Sequence, residues 1–242
     1  LKIHVDDLDE SHPQLGVDES YDLDITSSDA TLKAKTVWGA LRGLETFSQI
    51  VSFNFEDETY YIPSTPISVD DAPRFPHRGL MIDSARHFET LDAIRSIIDS
   101  LTYAKLNTLH WHMVDTQSFP FQSKTYPNLW DGAYSVEERY TQDDIATIVE
   151  YARLRGVRVY VEFDVPGHAQ SWCKGYPEIC PSETCTTPLN VANNKTFDVI
   201  GGLLEEVTGG TSSTKGKPSG LFPDNFVHLG GDEVDTSCWS NT

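Results

Sequence analysis

Strand-like and helix-like patterns alternate four times between residues 79 and 234, which predicts an α/β chain: the first half of a (β/α)8 TIM barrel, residues 73–242, preceded by a small α/β accessory domain, residues 1–72. The alternation argues for parallel strands joined by right-handed crossovers. Polar residues gather where each apolar run ends: Asp83 and Arg86, then Asp115, then Asp164 and His168, then Asp232 and Glu233. A barrel builds its active site along that edge. An open doubly wound sheet also binds there, but no glycine-rich phosphate fingerprint follows the first strand, so the barrel is preferred. A complete barrel takes eight units and roughly 250 residues. Four units lead us to expect one piece of a larger protein, with an incomplete accessory domain and half of the site elsewhere.

In chain order, L-K-I-H-V at the start reads as a strand, and the alternating Y-D-L-D-I-T of 21–26 as another, able to pair with residues 31–35 as a hairpin. A helical period follows, with Leu41, Leu44, Phe47 and Val51 on one stripe, and 60–62 is extended again. His4 and His12 stand apart from any cluster at ligand spacing and read as solvated. The stretch D-A-P-R-F-P-H at 71–77 is the boundary, because two prolines three residues apart resist both helix and central strand. Beyond it, Gly79–Asp83 is a strand. A helix over 91–105 follows, N-capped by Thr90, with Leu91, Ile94, Ile97, Ile98 and Leu101 on one face. Thr108–Val114 is the second strand. The next helix opens on the capping signature Thr141-x-x-Asp144, presents Ile145, Ile148, Val149 and Ala152, and stops at Gly156. Residues 157–163 form the third strand. A third helix carries Phe197, Ile200, Leu203, Leu204 and Val207 and closes at Gly209 and Gly210.

The fourth strand lies in F-V-H-L-G-G-D-E-V, 226–234, with Phe226, Val227 and Leu229 expected to be buried. Gly230 and Gly231 let the backbone turn out of it, and Asp232 and Glu233 follow. Two adjacent carboxylates in a confined site cannot both ionise freely, so one becomes a candidate general acid. An isolated acidic pair is ordinarily a solvated turn, and its place at a strand end beside the other polar clusters gives this one a function.

Composition is globular, 38% apolar and 11% aromatic, with 18 Lys and Arg against 37 Asp and Glu for a formal charge of -19. Such an excess repels nucleic acid and anionic membranes and suits a neutral or cationic substrate. No run approaches the roughly 18 apolar residues of a membrane span. The chain opens on Leu1, so a leader, if there was one, is expected to have been removed or left out. Cys173, Cys180, Cys185 and Cys238 match no redox or zinc spacing and read as two disulfides in one of three pairings. With the sequon at Asn194, they point to a secreted or lysosomal or vacuolar compartment.

Five blocks, H-R-G-L-M-I-D-S-A-R-H-F from His77, L-H-W-H-M-V-D from Leu109, E-Y-A-R-L-R-G-V-R-V from Glu150, E-F-D-V-P-G-H-A from Glu162 and H-L-G-G-D-E-V from His228, together resemble the β-N-acetylhexosaminidases of glycoside hydrolase family 20. The resemblance implies exo-acting, retaining release of terminal β-linked GlcNAc or GalNAc from chito-oligosaccharides, other glycans or glycoconjugates. It implies no cofactor or metal, and a possible homodimer at full length. In that family the substrate's acetamide oxygen is the nucleophile. By the same resemblance Glu233 is the general acid and base, and Asp232 orients the acetamide and stabilises an oxazolinium cation. Arg86 holds ring hydroxyls, and Asp115, Asp164 and His168 are further site residues. His168 is expected to bridge Asp164 to Glu233, with Asp164 fixing its tautomer. Arg78 reads as structural, and Trp111, Trp130, Trp172 and Trp239 as core. The pairing expected within this frame is Cys185 with Cys238, tying two strand-end loops together, and Cys173 with Cys180.

Two rival readings stand beside this one. His110 and His112 lie on one face of a strand at a spacing that can chelate metal, which would make a metal-dependent barrel hydrolase. A catalytically silent carbohydrate-binding subunit of the same fold is the other.

Overall fold

The computed structural model describes residues 1–210 and 220–241. Strands β1 (Lys2–Asp7), β2 (Tyr21–Ile25) and β3 (Ala30–Thr36) come first, β1 parallel to β3 and β2 antiparallel to it. Alternation drives the β2–β3 hairpin: Tyr21, Leu23 and Ile25 are buried, while Asp22 and Asp24 face water. Helix α1 (Val37–Ile50) starts where the Thr36 hydroxyl accepts the Gly39 N–H. A short hairpin of β4 (Ser52–Asn54) and β5 (Thr59–Tyr61) follows, and β6 (Ile67–Asp71) completes a sheet of order β1-β3-β2-β6. Sequence reading missed β6, whose acidic end runs into the proline boundary. The core of this region is Tyr21, Leu23, Ile25, Leu32, Ala34 and Ala40.

Helix α1 differs from expectation. The stripe of Leu41, Leu44, Phe47 and Val51 is only half-buried, and the deepest side holds Trp38, Gly39, Ala40, Arg42 and Gly43. Arg42 can be buried because Glu19 meets it. The Glu19 carboxylate accepts from Arg42 Nε at 2.8 Å, Arg78 Nη2 at 2.9 Å and Asn107 Nδ2 at 2.9 Å, and Arg42 Nη2 donates to the Gly156 carbonyl at 2.8 Å. Arg78 was expected to be structural, and it ties the two regions together. His4 is exposed, but His12 is half-buried, and burial together with nearby Arg153 lowers its pKa.

The second region repeats strand and helix: β7 (Gly79–Asp83), α2 (Leu91–Tyr103), β8 (Thr108–Val114), α3 (Gln142–Arg153), β9 (Arg158–Phe163), a single turn α4 (Trp172–Gly175) and α5 (Asn194–Thr208). The strands are parallel in the order β7-β8-β9. This is a partial barrel of mixed α/β structure. Ile94, Ile98 and Leu101 of α2, Ile145 and Ile148 of α3, and Val199 and Leu203 of α5 join Leu109, Trp111 and Met113 of β8 in one core. Trp111 and Trp172 are fully buried, while Trp130 and Trp239 are half-buried. Asn194 is exposed on the first turn of α5.

The capping box of α3 is complete: the Thr141 hydroxyl accepts the Asp144 N–H, and the Asp144 carboxylate accepts the Thr141 N–H. Thr141→Ala is expected to cost about 1 kcal/mol. Urea midpoints of the two proteins measure it, and coincident midpoints would show that the cap contributes nothing.

The fourth strand departs from its predicted burial. In place of a full strand there is an isolated bridge: His228 N–H donates to Val161 O, and Phe163 and Val165 N–H donate to His228 O and Leu229 O, each at 3.0 Å. Phe226 is 53% and Leu229 42% exposed. Among the described residues no further strand covers that edge. Two disulfides, Cys173–Cys180 and Cys185–Cys238, fasten the loops beyond β9, the second joining them to the segment after residue 234.

Candidate active site

Register builds the site. Asp83 of β7 pairs with His112 of β8, His112 with Glu162 of β9, and Glu162 with His228. Laterally paired residues of parallel strands share a face, so these four form one row across the sheet, carboxylate and imidazole in turn. The Glu162 carboxylate accepts from His110 Nε2 at 2.5 Å and His112 Nδ1 at 3.0 Å, and His228 Nδ1 lies 3.2 Å away. Sequence reading assigned Glu162 no role. Its signal was present: E-F-D puts Glu162 and Asp164 on one face, a carboxylate between Val161 and Phe163.

His112 reaches the strand end through its other nitrogen, 2.9 Å from Asp115 Oδ2. Burial works against its charge, but the bonds to Asp115 and Glu162 outweigh burial and push its pKa up to about 10. Burial would likewise raise the Glu162 carboxyl, yet His110 and His112 hold it far below the usual range. Asp115 is 1% exposed and lowered too, with His112, the Thr116 N–H, Arg86 and His168 overriding burial.

Above that row the expected residues converge. Arg86 Nη1 donates to Asp83 Oδ2 at 2.6 Å, and Nη2 lies 2.8 Å from Asp115 Oδ2. Asp83 Oδ1 also accepts the Ala85 and Arg86 N–H groups, which folds the chain back on itself just after β7. His168 Nδ1 is 3.3 Å from Asp115 Oδ1, and its Nε2 lies 3.4 Å from Glu233 Oε2 and 3.8 Å from Asp232 Oδ2. This corrects one expectation, since the carboxylate against Nδ1 is Asp115 and not Asp164. Asp164 instead accepts the Gly231 N–H at 3.0 Å, and burial together with nearby Asp232 raises its pKa.

Adjacent residues of a straight strand point to opposite faces, yet Asp232 and Glu233 both approach His168. Positive φ explains how: Gly230 at 63°, Gly231 at 100° and Glu233 at 47°. His168 itself sits at 53°. Non-glycine residues held in this region store strain, typically of order 1–3 kcal/mol, and collect at functional sites. A Cβ on Gly230 would overlap the Asp164 carboxylate, so that strand end is locked to β9. The confinement expected around the acid pair is not supplied by the described residues, for the Asp232 and Glu233 side chains are 67% and 80% exposed.

His110, Glu162 and His228 lie close enough together to suit a cation, as do His112, Asp115 and Asp164. In both groups imidazoles already face the carboxylates at ion-pair distance, and we assign no metal to either.

The catalytic-domain model of glycosyl hydrolase family 20 matches residues 75–242, and one described as beta-acetyl hexosaminidase like matches 1–50. Beta-hexosaminidase 1 of Arabidopsis thaliana is 50% identical over 241 residues, 97% of this chain and 42% of that protein. Beta-hexosaminidase subunit beta of Mus musculus is 44% identical over 240 residues, 96% of this chain and again 42% of its own length. The chain therefore spans less than half of the curated relatives it matches. Among solved structures, Flavobacterium johnsoniae chitobiase superposes with a TM-score of 0.82 at 36% identity, over 95% of this chain and 34% of that one. A Vibrio harveyi exo beta-N-acetylglucosaminidase in complex with N-acetylglucosamine gives 0.81 at 25%, covering 100% and 39%. With the catalytic-domain match running from the proline boundary to the last residue, the chain belongs to glycosyl hydrolase family 20.

Proposed function

We propose that this chain is the acid-bearing part of an exo-acting, retaining β-N-acetylhexosaminidase that releases terminal β-linked GlcNAc or GalNAc through an oxazolinium intermediate. The observation that carries the reading is that Asp232 and Glu233 both face one nitrogen of His168, whose other nitrogen lies against Asp115 and Arg86. Asp115 is a deprotonated acceptor, so His168 turns its Nδ1–H toward it and leaves the Nε2 lone pair facing Glu233. The ring lies 3.4 Å from one Glu233 carboxyl oxygen and fixes where that group sits, while the carboxyl proton stays available for the leaving oxygen. Glu233 protonates that oxygen, the acetamide carbonyl closes on the anomeric carbon, and Glu233 then takes a proton from the attacking water. Asp232 accepts the acetamide N–H and offsets the positive charge of the ring. Arg86, fixed by two carboxylates, donates to ring hydroxyls.

The same reading assigns residues 1–72 to an accessory domain and 73–242 to the catalytic barrel, supported by their separate cores. It also includes a secreted or lysosomal or vacuolar lumen, a glycan on Asn194 and a homodimer at full length. Among the described residues no helix is long and apolar enough to cross a membrane.

The test compares an aryl N-acetyl-β-glucosaminide with the matching glucoside that lacks the acetamido group, using the chain completed to its relatives' length. Only the first should be hydrolysed. Equal cleavage of both would place the nucleophile on the protein and remove the role given to Asp232. Silence on both, from folded protein, would favour the binding-subunit reading.

A further inference from the structure

The row beneath the site holds more charge than packing requires. His112 has carboxylates at both ring nitrogens, Glu162 at Nδ1 and Asp115 at Nε2. A neutral imidazole owns one N–H, so satisfying two carboxylate acceptors takes the doubly protonated cation. His112 is 5% exposed, so the two carboxylates meet it largely out of water. Asp115 in turn is the residue that Arg86 and His168 share. A continuous path therefore runs from Glu162 through His112 and Asp115 to the guanidinium and imidazole of the site. We propose that Glu162 is a positioning residue: it fixes His112 as an imidazolium, and that cation sets the Asp115 rotamer on which Arg86 and His168 are oriented. The inference rests on the glycosidase reading of those two residues.

Every charged group facing His112 bears on its protonation. Asp83 stands beside it on β7, with Arg86 just beyond. His110 and Asp115 share its own strand and strand end, Glu162 and Asp164 come from β9, and His168 from the loop above. With Glu162 ionised the carboxylates predominate and the cation is favoured. Glu162→Gln leaves the shape and removes that charge, while burial continues to disfavour the imidazolium. His112 should then lose its proton at a lower pH. The cation holds Asp115 by charge as well as through its Nε2–H, where a neutral ring keeps the hydrogen bond alone, so the variant's activity should fall as pH rises through the new value and recover below it.

The measurement is kcat/KM of Glu162→Gln divided by that of the unaltered protein, from pH 5 to pH 8, in the chain completed to its relatives' length. Ionisations common to both cancel in the ratio. A loss of about 100-fold at pH 8, shrinking to under about 10-fold at pH 5, is expected, the size that misplaced catalytic groups cost. Glu162→Asp, which keeps the charge, should give a flat ratio. A ratio for Glu162→Gln that is flat with pH, whatever its size, overturns the proposal, because a purely structural defect lowers activity evenly. Should Glu162→Gln not fold, the His112 ring can be followed by nitrogen NMR in unaltered protein: a ring protonated on both nitrogens at pH 8 supports the proposal, and one that titrates below pH 8 overturns it. If the unaltered protein fails to cleave the acetamido substrate, the glycosidase reading falls, and the inference falls with it through that separate observation.

Discussion

Glu233→Gln is expected to lower kcat roughly 1,000-fold on an acetamido aryl glycoside while leaving KM within a few-fold, since a positioned acid and base contributes about 10²–10⁴. The argument is geometric. Glu233 is the carboxyl nearest His168 Nε2, at 3.4 Å against 3.8 Å for Asp232, and its left-handed backbone sets the side chain apart from its neighbour's direction. The amide keeps the shape and can still donate a hydrogen bond, so binding survives, but it cannot release a proton or take one from water. Steady-state kinetics on a good and a poor leaving group checks the assignment. The loss should be smaller with the good leaving group, which needs less protonation to depart. Equal losses on both would give the acid role to another residue.

Glu19→Ala is expected to destabilise the fold by about 3–5 kcal/mol, because removing one partner leaves a buried charge uncompensated. Arg42, 2% exposed, would keep only the Gly156 carbonyl, and Arg78 and Asn107 would lose an acceptor at the same place. Burial alone would raise the Glu19 pKa, but the bonds and charges of Arg78 and Arg42 prevail and lower it. A lowered native pKa means stability that is present above the ordinary carboxylate value and is lost as pH falls through the native one. Glu19→Ala should therefore unfold at lower urea, and its deficit should narrow on acidification. A midpoint shift worth under about 1 kcal/mol at pH 7 would show that the arginines find other partners.

These two residues also mark how far sequence carries. The turn that carries Glu233 was legible because two glycines at the end of an apolar run let the backbone leave the strand, as their positive φ angles show. Glu19 was not: it lies in a loop without periodicity, and only the approach of Arg42 and Arg78 from elsewhere gives it meaning. The same holds for α1, where the apolar stripe was read correctly as a helix, yet an ion pair took the deeper side. Capping boxes, glycine stops and the β–α alternation depend on near neighbours, and they were read from the chain directly. Burial of Phe226 and Leu229 depends on what lies across the sheet, which an apolar pattern does not report. The exchange of Asp115 for Asp164 against His168 is of this kind too. Both acids end neighbouring strands, and which one the ring meets depends on the path of the loop that carries His168.

The interlock between Gly230 and the Asp164 carboxylate has an evolutionary consequence. Any side chain at 230 must displace the acid at 164, and a smaller residue at 164 would open a hole where that acid supports the last turn before the acid pair. The two positions, 66 apart in the sequence, cannot drift one at a time: most single steps away from Gly and Asp pass through a poorly formed strand end, so the route to a different residue at either position runs through simultaneous change at both.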